Sequence, residues 1–299
     1  MTVVLPTYRR PEALARVLDG LAAQRDAPAF EVIVVDNDSA PHPSPRLPAQ
    51  LRGRVVVEPV PGAAMARNRG VAEAAAGLVA WIDDDVVPDA RWLAALAAPV
   101  LAGRADLTGG RVVLDPSVSR PSWLAPAIEG YLTALDLGPH ERALSDDESL
   151  LTASLLTRTA LFRSTGGFDP RLGPRGSTQL VGDDAQIVRS LRTAGARAAW
   201  VPDAVVVHEL PESRLRPTWV LRRAWLQGRS DWLLDRDALS RRRAGGARVA
   251  LSWLTEQWRC RRAEGLRSPD VAFHTACDLA RTAGRLSEAA AIARGRRAA

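Results

Sequence analysis

The sequence predicts an α/β fold: an open, mostly parallel sheet flanked by helices, followed by a helical C-terminal region. Three observations carry this prediction. Strand-like and helix-like runs alternate through the first half. Two apolar runs there end in acids, as parallel strands buried on both faces do. From Pro217 onward the pattern is helical.

Thr2 to Leu5 is a short apolar run, and Pro11 then opens a helix with Leu14, Val17, Leu18 and Leu21 at i, i+3, i+4 and i+7. Glu31 to Asp36 is a continuous apolar strand ending in an acid, followed by a Pro/Ser-rich loop from Ala40 to Pro48. Arg54 to Glu58 is a third strand. Gly62 to Ala76 is a helix whose small residues allow a close approach to the sheet. Leu78 to Ile82 is a fourth strand, and Pro88 to Leu101 a further helix. This βαβ rhythm argues for parallel pairing, and ligands of such sheets sit at the carboxyl ends of the strands, where Asp36 and Asp83 fall. The second half is less regular. Asp106 to Leu114 reads as a strand, Asp115 to Ser149 as loop with one short helix, and Leu151 to Thr157 as another apolar run. Gly166 to Asp169 is a turn and Asp184 to Ala194 an amphipathic helix. Arg197 to Val201 and Val205 to His208 read as strands. The expected organisation is a domain over 1–215, in halves 1–105 and 106–215, and a helical region over 216–299.

Of the 299 residues, 46% are hydrophobic and 25% charged, which fits a folded globular protein rather than a disordered one. No apolar run approaches the roughly 20 residues that span a bilayer. A strand-like run directly after Met1 is not a signal-peptide pattern, so a cytoplasmic location is expected. The net charge is +6, and all 40 basic residues are arginine. No helix-turn-helix, zinc-finger or aromatic RNA-binding signature accompanies that charge, so no nucleic-acid partner is expected. Cys260 and Cys277 lack metal spacing and read as idle thiols. The arginines crowd the last third (Arg222-Arg223, Arg241-Arg242-Arg243, Arg259, Arg261-Arg262, Arg294, Arg296-Arg297) and read as solvated helix faces. Trp219, Trp225, Trp232, Trp253 and Trp258 lie among them. Such a face suits an anionic membrane surface, packing on the first domain, or a homodimer.

Asp83-Asp84-Asp85 is the most informative motif. Three carboxylates at a strand end repel one another unless a cation or a basic group sits among them. Magnesium is held by one or two carboxylates plus substrate phosphates, so a metal–diphosphate site explains the run; an acid-rich helix start before Pro88 is the other reading. Asp36-Asn37-Asp38-Ser39 ends a second strand and suits either an acid that accepts from a base or ribose, or an Asx-rich turn. Pro6-Thr7-Tyr8-Arg9 brings a ring and a guanidinium to the same edge. In Arg67-Asn68-Arg69, one arginine can face a diphosphate. Gly182-Asp183-Asp184 begins a helix, where acids cap or one serves as a general base. His208 ends a strand, as a metal ligand, a phosphate contact or a core residue.

Taken in order, these segments resemble glycosyltransferase family 2, with its GT-A (Rossmann-like) fold. The matching segments are Val3 to Leu14, Glu31 to Ser39, Ala66-Arg67-Asn68-Arg69-Gly70 leading to Trp81-Ile82-Asp83-Asp84-Asp85, Leu161 to Gly173, and Gly182 to Leu191. The resemblance covers roughly residues 1 to 230. It implies transfer of one sugar from a nucleotide-diphosphate sugar to an acceptor hydroxyl, with inversion at the anomeric carbon. The acceptor is left open among small molecules, lipid-linked sugars and glycans.

The resemblance also implies roles. Pro6, Thr7, Tyr8, Arg9, Asp36, Arg67, Asn68, Asp83 and Asp84 would bind the nucleotide-sugar, with Asp83 on the ribose. Asp85, with His208, would hold Mn²⁺ or Mg²⁺ on the diphosphate through the DxD motif. Asp184 would deprotonate the acceptor, with Asp183 beside it as the other candidate base. Asp183 stands where the family carries glutamate. The Gln-x-x-Arg-Trp pattern of processive synthases is replaced by Arg222-Arg223-Ala224-Trp225-Leu226-Gln227-Gly228-Arg229-Ser230, so single transfer is expected. Two other readings compete with this one. A nucleotidyltransferase acting on a sugar phosphate usually carries a Gly-rich basic loop after its first strand, and Thr7-Tyr8-Arg9-Arg10 has no glycine. A catalytically inactive GT-A-like binding protein is disfavoured by the intact acid sites.

Overall fold

The computed structural model describes residues 1–38, 45–175, 178–241 and 269–293. Chain contacts divide it into two units: Met1–Val118 with Leu132–Pro211, and Ser119–Tyr131 with Glu212 onward. Ser119–Tyr131, which lies within 106–215, thus groups with the second unit. Ser39, the Ala40-to-Ser44 part of the Pro/Ser-rich loop, Arg242, Arg243, Trp253, Trp258, Arg259, Cys260, Arg261, Arg262, Arg294, Arg296 and Arg297 lie outside the described residues.

The first unit is built on a mixed sheet of nine strands among the described residues. In chain order these are β1 (Thr2–Thr7), β2 (Glu31–Asp36), β3 (Gly53–Val57), β4 (Leu78–Trp81), β5 (Val86–Pro88), β6 (Leu107–Leu114), β7 (Arg142–Ala143), β8 (Leu155–Arg158) and, after a separate two-stranded pair β9 (Pro174–Arg175) and β10 (Thr178–Gln179), β11 (Ala198–His208). The order across the sheet is β3-β2-β1-β4-β8-β6-β11-β5, with β7 added against β11. β3, β2, β1 and β4 are all parallel, whereas β8 runs antiparallel to both β4 and β6.

Alternate residues of the central strands feed two cores. Val3, Leu5, Val32 and Val34 face α1 (Pro11–Ala22) and α3 (Trp92–Leu101). Val4, Ile33 and Val35 face α2 (Ala63–Glu73) and α5 (Asp183–Thr193), on the side that also carries Phe162 of α4 (Thr159–Ser164). Each such fully buried aliphatic side chain contributes about 1.5–3 kcal/mol of transfer free energy. The small residues of α2 have the expected effect. A Cβ on Gly70 would lie 2.3 Å from a Val4 methyl, so the helix rests on β1 as only glycine permits.

Two expectations change. The helix after the acid run begins at Trp92, not Pro88, because Val86–Pro88 pairs antiparallel with Val206–His208 as an edge strand. An edge suits proline, which has no N–H to donate. The two strands read over 197–208 are one strand whose register slips between Val201 and Val205. Together these features put His208 opposite Val86, and the Glu209 amide donates to the Asp85 carbonyl at 2.9 Å. They decide what stands next to the acid run.

In the second unit, α6 (Pro217–Arg241) packs on the last described helix, α7 (Pro269–Ala293). They cross closely enough that a Cβ on Gly228 or Gly284 would fall within 2 Å of a carbonyl oxygen of the other helix. Three arginines outside the runs read as solvated faces make ion pairs here. Arg229 pairs with the buried Glu288 at 2.8 Å, Arg281 and Arg285 converge on Asp231, and the Arg229 guanidinium lies over the Trp225 ring. Cys277 is buried on α7, and no described helix is long and apolar enough to cross a membrane.

Candidate active site at the strand ends

The parallel pairing of β1 with β2 and β4 brings Thr7, Asp36 and the run after Trp81 to one edge. The question raised by Asp83-Asp84-Asp85 has a structural answer: basic groups sit among the acids. Arg67, on α2, gives Nη2 to Asp83 at 2.7 Å and Nη1 to Asp183 at 2.5 Å, and its guanidinium lies over the Phe168 ring. Burial alone would lower the pKa of this arginine, but the carboxylates of Asp83 and Asp183 outweigh that and raise it, so it is a permanent cation. Arg10, at the end of the β1–α1 loop, sends one nitrogen, Nη1, to Asp84 at 3.0 Å and to Asp85 at 2.8 Å.

Asp84 is the buried member of the run. It accepts from the Thr7 hydroxyl at 2.8 Å and the Tyr8 amide at 3.4 Å, so it ties the β1 loop to the end of β4. Desolvation pushes its carboxyl up to about 6 against the opposing pull of Arg10. Pro6 is half-buried within β1. Tyr8 is exposed (51%), with the Arg9 guanidinium 5.0 Å from its ring centre, and Arg9 grips Asp38 at 2.6 and 3.1 Å. Arg9 adopts a left-handed backbone, φ 54°. Asp36 is buried and accepts from the Asp38 amide at 3.1 Å. Asn37 accepts from the Gly62 amide and donates to the carbonyls of Glu58 and Val60, which fixes the start of α2. Asn68 exchanges two hydrogen bonds with the backbone of Phe168 (2.8 and 2.9 Å), anchoring the Gly166 to Asp169 turn. Of the two neighbouring arginines, Arg67 faces the acids, while Arg69 makes a helix-surface pair with Glu73.

Asp183 and Asp184 both open α5, but their surroundings differ. Asp183 is buried against Arg67. Asp184 accepts at one oxygen, Oδ1, from the Thr152 amide at 3.0 Å and from the Thr152 hydroxyl. Burial, then the charge of Asp183, raises its carboxyl to about 6 despite Arg67 and Thr152, which pull the other way. Thr152 sits on a short 3-10 turn (Thr152–Ser154) before β8.

At the other side of the run, His208 is buried, with Nδ1 2.9 Å from the Leu132 carbonyl and Nε2 3.5 Å from Asp85 Oδ2. A carbonyl only accepts, so Nδ1 carries a proton and Nε2 is left facing a carboxylate. A cation could be shared between these two groups. One carboxylate oxygen and one imidazole nitrogen, with the ring fixed from behind by a carbonyl, is a donor set that Mn²⁺ or Mg²⁺ accepts. Among the described residues no three His, Cys, Asp or Glu side chains form a closed metal cage, so such an ion would take its remaining ligands from substrate and water.

Arg10 and Thr152 were missed from the sequence. Arg10 is one of 40 arginines, and Thr152 lies in an otherwise apolar run.

Residues 2–160 match the family described as glycosyl transferase family 2. The chain belongs to glycosyltransferase family 2. It is 30% identical over 234 residues, 76% of its length, to the pre-mycofactocin glycosyltransferase of Mycobacterium tuberculosis, of which the match spans only 46%. It is 24% identical to the glucosyl-dolichyl phosphate glucuronosyltransferase of Haloferax volcanii, covering 79% of this chain and 77% of that one. Among solved structures, S. aureus TarS bound to UDP-GlcNAc superposes with a TM-score of 0.53 at 19% identity, over 76% of this chain and 65% of that one, a likeness of fold.

Proposed function

We propose that this family 2 chain is an inverting, metal-dependent glycosyltransferase that moves one sugar from a nucleotide-diphosphate sugar to an acceptor hydroxyl. The observation that carries the reading is Asp184: a carboxylate at a helix start beside the acid edge, held by neutral donors and raised to about 6. A base of that strength is largely ionised at neutral pH and still takes a proton.

In this reading Pro6, Thr7, Tyr8, Arg9 and Asp36 form the base and ribose end of the donor site. Asp83 reaches the ribose, and Arg67 acts through Asp83 rather than on the phosphates, since both its terminal nitrogens hold carboxylates. Asn68 shapes the wall through Phe168, and Asp84 holds the loop that carries Tyr8. Asp85 and His208 are the residues that would hold Mn²⁺ or Mg²⁺. The ion, when bound, supplies positive charge to the departing diphosphate. Asp184 takes the acceptor proton through the oxygen that Thr152 leaves open, and Asp183, engaged by Arg67, orients Arg67 instead of serving as base.

The fold of UDP-GlcNAc-bound TarS, and relatives named as sugar transferases, support a nucleotide-sugar donor. A cytoplasmic location and single rather than repeated transfer belong to the same proposal. The test is a thermal-shift screen against UDP-, GDP- and dTDP-sugars with Mn²⁺. A ligand that binds only the folded chain raises the melting temperature. The expected result is a shift with one nucleotide class, lost in Asp36→Ala. No shift with any of the three would refute a nucleotide-sugar site of this kind.

A further inference from the structure

Asp85 Oδ2 is where two groups already meet. Arg10 Nη1 stands 2.8 Å from it and His208 Nε2 3.5 Å from it. A divalent ion shared by Asp85 and His208 would take that oxygen, the one facing the imidazole, and would repel a guanidinium held at bonding distance. The Arg10 side chain is 43% exposed, hangs on a loop, and makes hydrogen bonds only through Nη1 among the described residues. It can therefore leave Asp85 while its neighbours stay in place. Arg67 has no such freedom, being buried with both Nη atoms engaged.

We propose that Arg10 is a resident counter-cation of Asp84 and Asp85 which the metal must displace from Asp85, so that the free protein takes the ion weakly. The proposal rests on the reading of Asp85 as a metal ligand. Its consequence is a coupling. Donor diphosphate brings negative charge that compensates both cations at once, so metal and donor strengthen each other's binding, and by linkage each does so by the same factor. The free protein then carries little metal, and the site assembles when the donor arrives. Arg10 is thus a positioning residue that sets when the metal is held.

The direct test measures Mn²⁺ affinity in the absence of nucleotide, by the electron paramagnetic resonance signal of free Mn²⁺. Arg10→Gln is expected to bind Mn²⁺ at least tenfold more tightly than the natural chain. Arg9→Gln removes the same charge one residue away, from a pair with Asp38, and is expected to change the affinity less than threefold. Equal affinities in Arg10→Gln and the natural chain would overturn the proposal, as would an equal gain in both variants. A second measurement needs no variant: phenylglyoxal labelling of Arg10, located by peptide mass spectrometry, should speed up when saturating Mn²⁺ is added without nucleotide. An unchanged rate counts against displacement. The two readings fail differently. If Mn²⁺ does not bind the natural chain even with UDP, or binds equally well in Asp85→Asn, the metal assignment falls and the proposal with it. If Mn²⁺ with UDP binds and requires Asp85, yet Arg10→Gln gains nothing, only the role of Arg10 falls.

Discussion

At the ends of the parallel strands, each acid of the run Asp83–Asp85 touches an arginine: Asp83 meets Arg67, and Asp84 and Asp85 meet Arg10. At the start of α5, Asp183 follows the same rule, but Asp184 accepts from Thr152 alone. The same side chain is thus prepared for opposite work. In the proposed reading the acids held by Arg67 and Arg10 form a framework for a donor and its metal, and desolvation raises one of them, Asp84, to about 6. Asp184, hydrogen-bonded by Thr152 and raised by burial and the charge of Asp183, is the acid proposed to take a proton. In the proposed function it is the hydrogen-bond partner, Thr152 or an arginine, that distinguishes the base Asp184 from the other acids.

The sharpest way to break this comparison is to neutralise each of the α5 acids in turn. Asp184→Asn should lower kcat by roughly 10²–10⁴-fold, the contribution of a positioned general base, while donor affinity stays within about twofold. Asp183→Asn should instead lower stability and weaken donor binding through Arg67. Comparable kcat in Asp184→Asn and the natural chain would remove the base from Asp184.

The next effect is structural. Arg67 is the shared cation of Asp83 and Asp183, so Arg67→Leu leaves two carboxylates without their partner. Breaking a buried pair on one side costs about 3–5 kcal/mol. In a chain of this size that is a fall in Tm on the order of 10 °C, measurable by calorimetry. A change under about 2 °C would show that the bridge between the two sides carries little stability.

Much of this site was legible in the sequence, and what was hidden has physical reasons. Val32 to Val35 are buried on both faces, so the strand reads as an unbroken apolar run ending at Asp36. The acids at strand ends are conspicuous because charge seldom follows such a run without a partner. β5 was hidden because three residues carry no periodicity, and Pro88 reads as easily as a helix start. That one short strand sets Asp85 against His208. Arg10 and Thr152 act across separations of 75 and 32 residues, and only the folded topology brings such pairs together.

A smaller effect sharpens the comparison from the neutral side. Thr152 donates to Asp184, which favours the ionised form and restrains the rise in its pKa. Thr152→Val removes the hydroxyl but keeps the amide bond. Losing a hydrogen bond to a charged group is worth about 1.5–3 kcal/mol gross, and with the amide retained a rise of about one pKa unit is expected. The acid limb of the kcat/KM profile should move from near pH 6 to near pH 7. Activity would fall roughly fivefold at pH 6 and little at pH 9. Thr152→Ser should restore the natural profile, and a loss equal at all pH values would mark Thr152 as merely structural.

The smallest effect is on stability. The Asp184 carboxyl is raised from 3.8 to about 6 by folding. Below pH 3.8 it is protonated in both states and contributes nothing. Between these values the folded chain binds a proton that the unfolded chain does not, so stability falls as pH rises, and above pH 6 the folded state bears the full cost of the charge. Asp184→Asn removes that titration. The Tm of the variant relative to the natural chain should therefore rise by a few degrees between pH 4 and pH 8, in parallel with its loss of activity. A Tm difference independent of pH would mean that Asp184 is held without electrostatic cost, and the contrast between the two acids of α5 would then have to rest on hydrogen bonding alone.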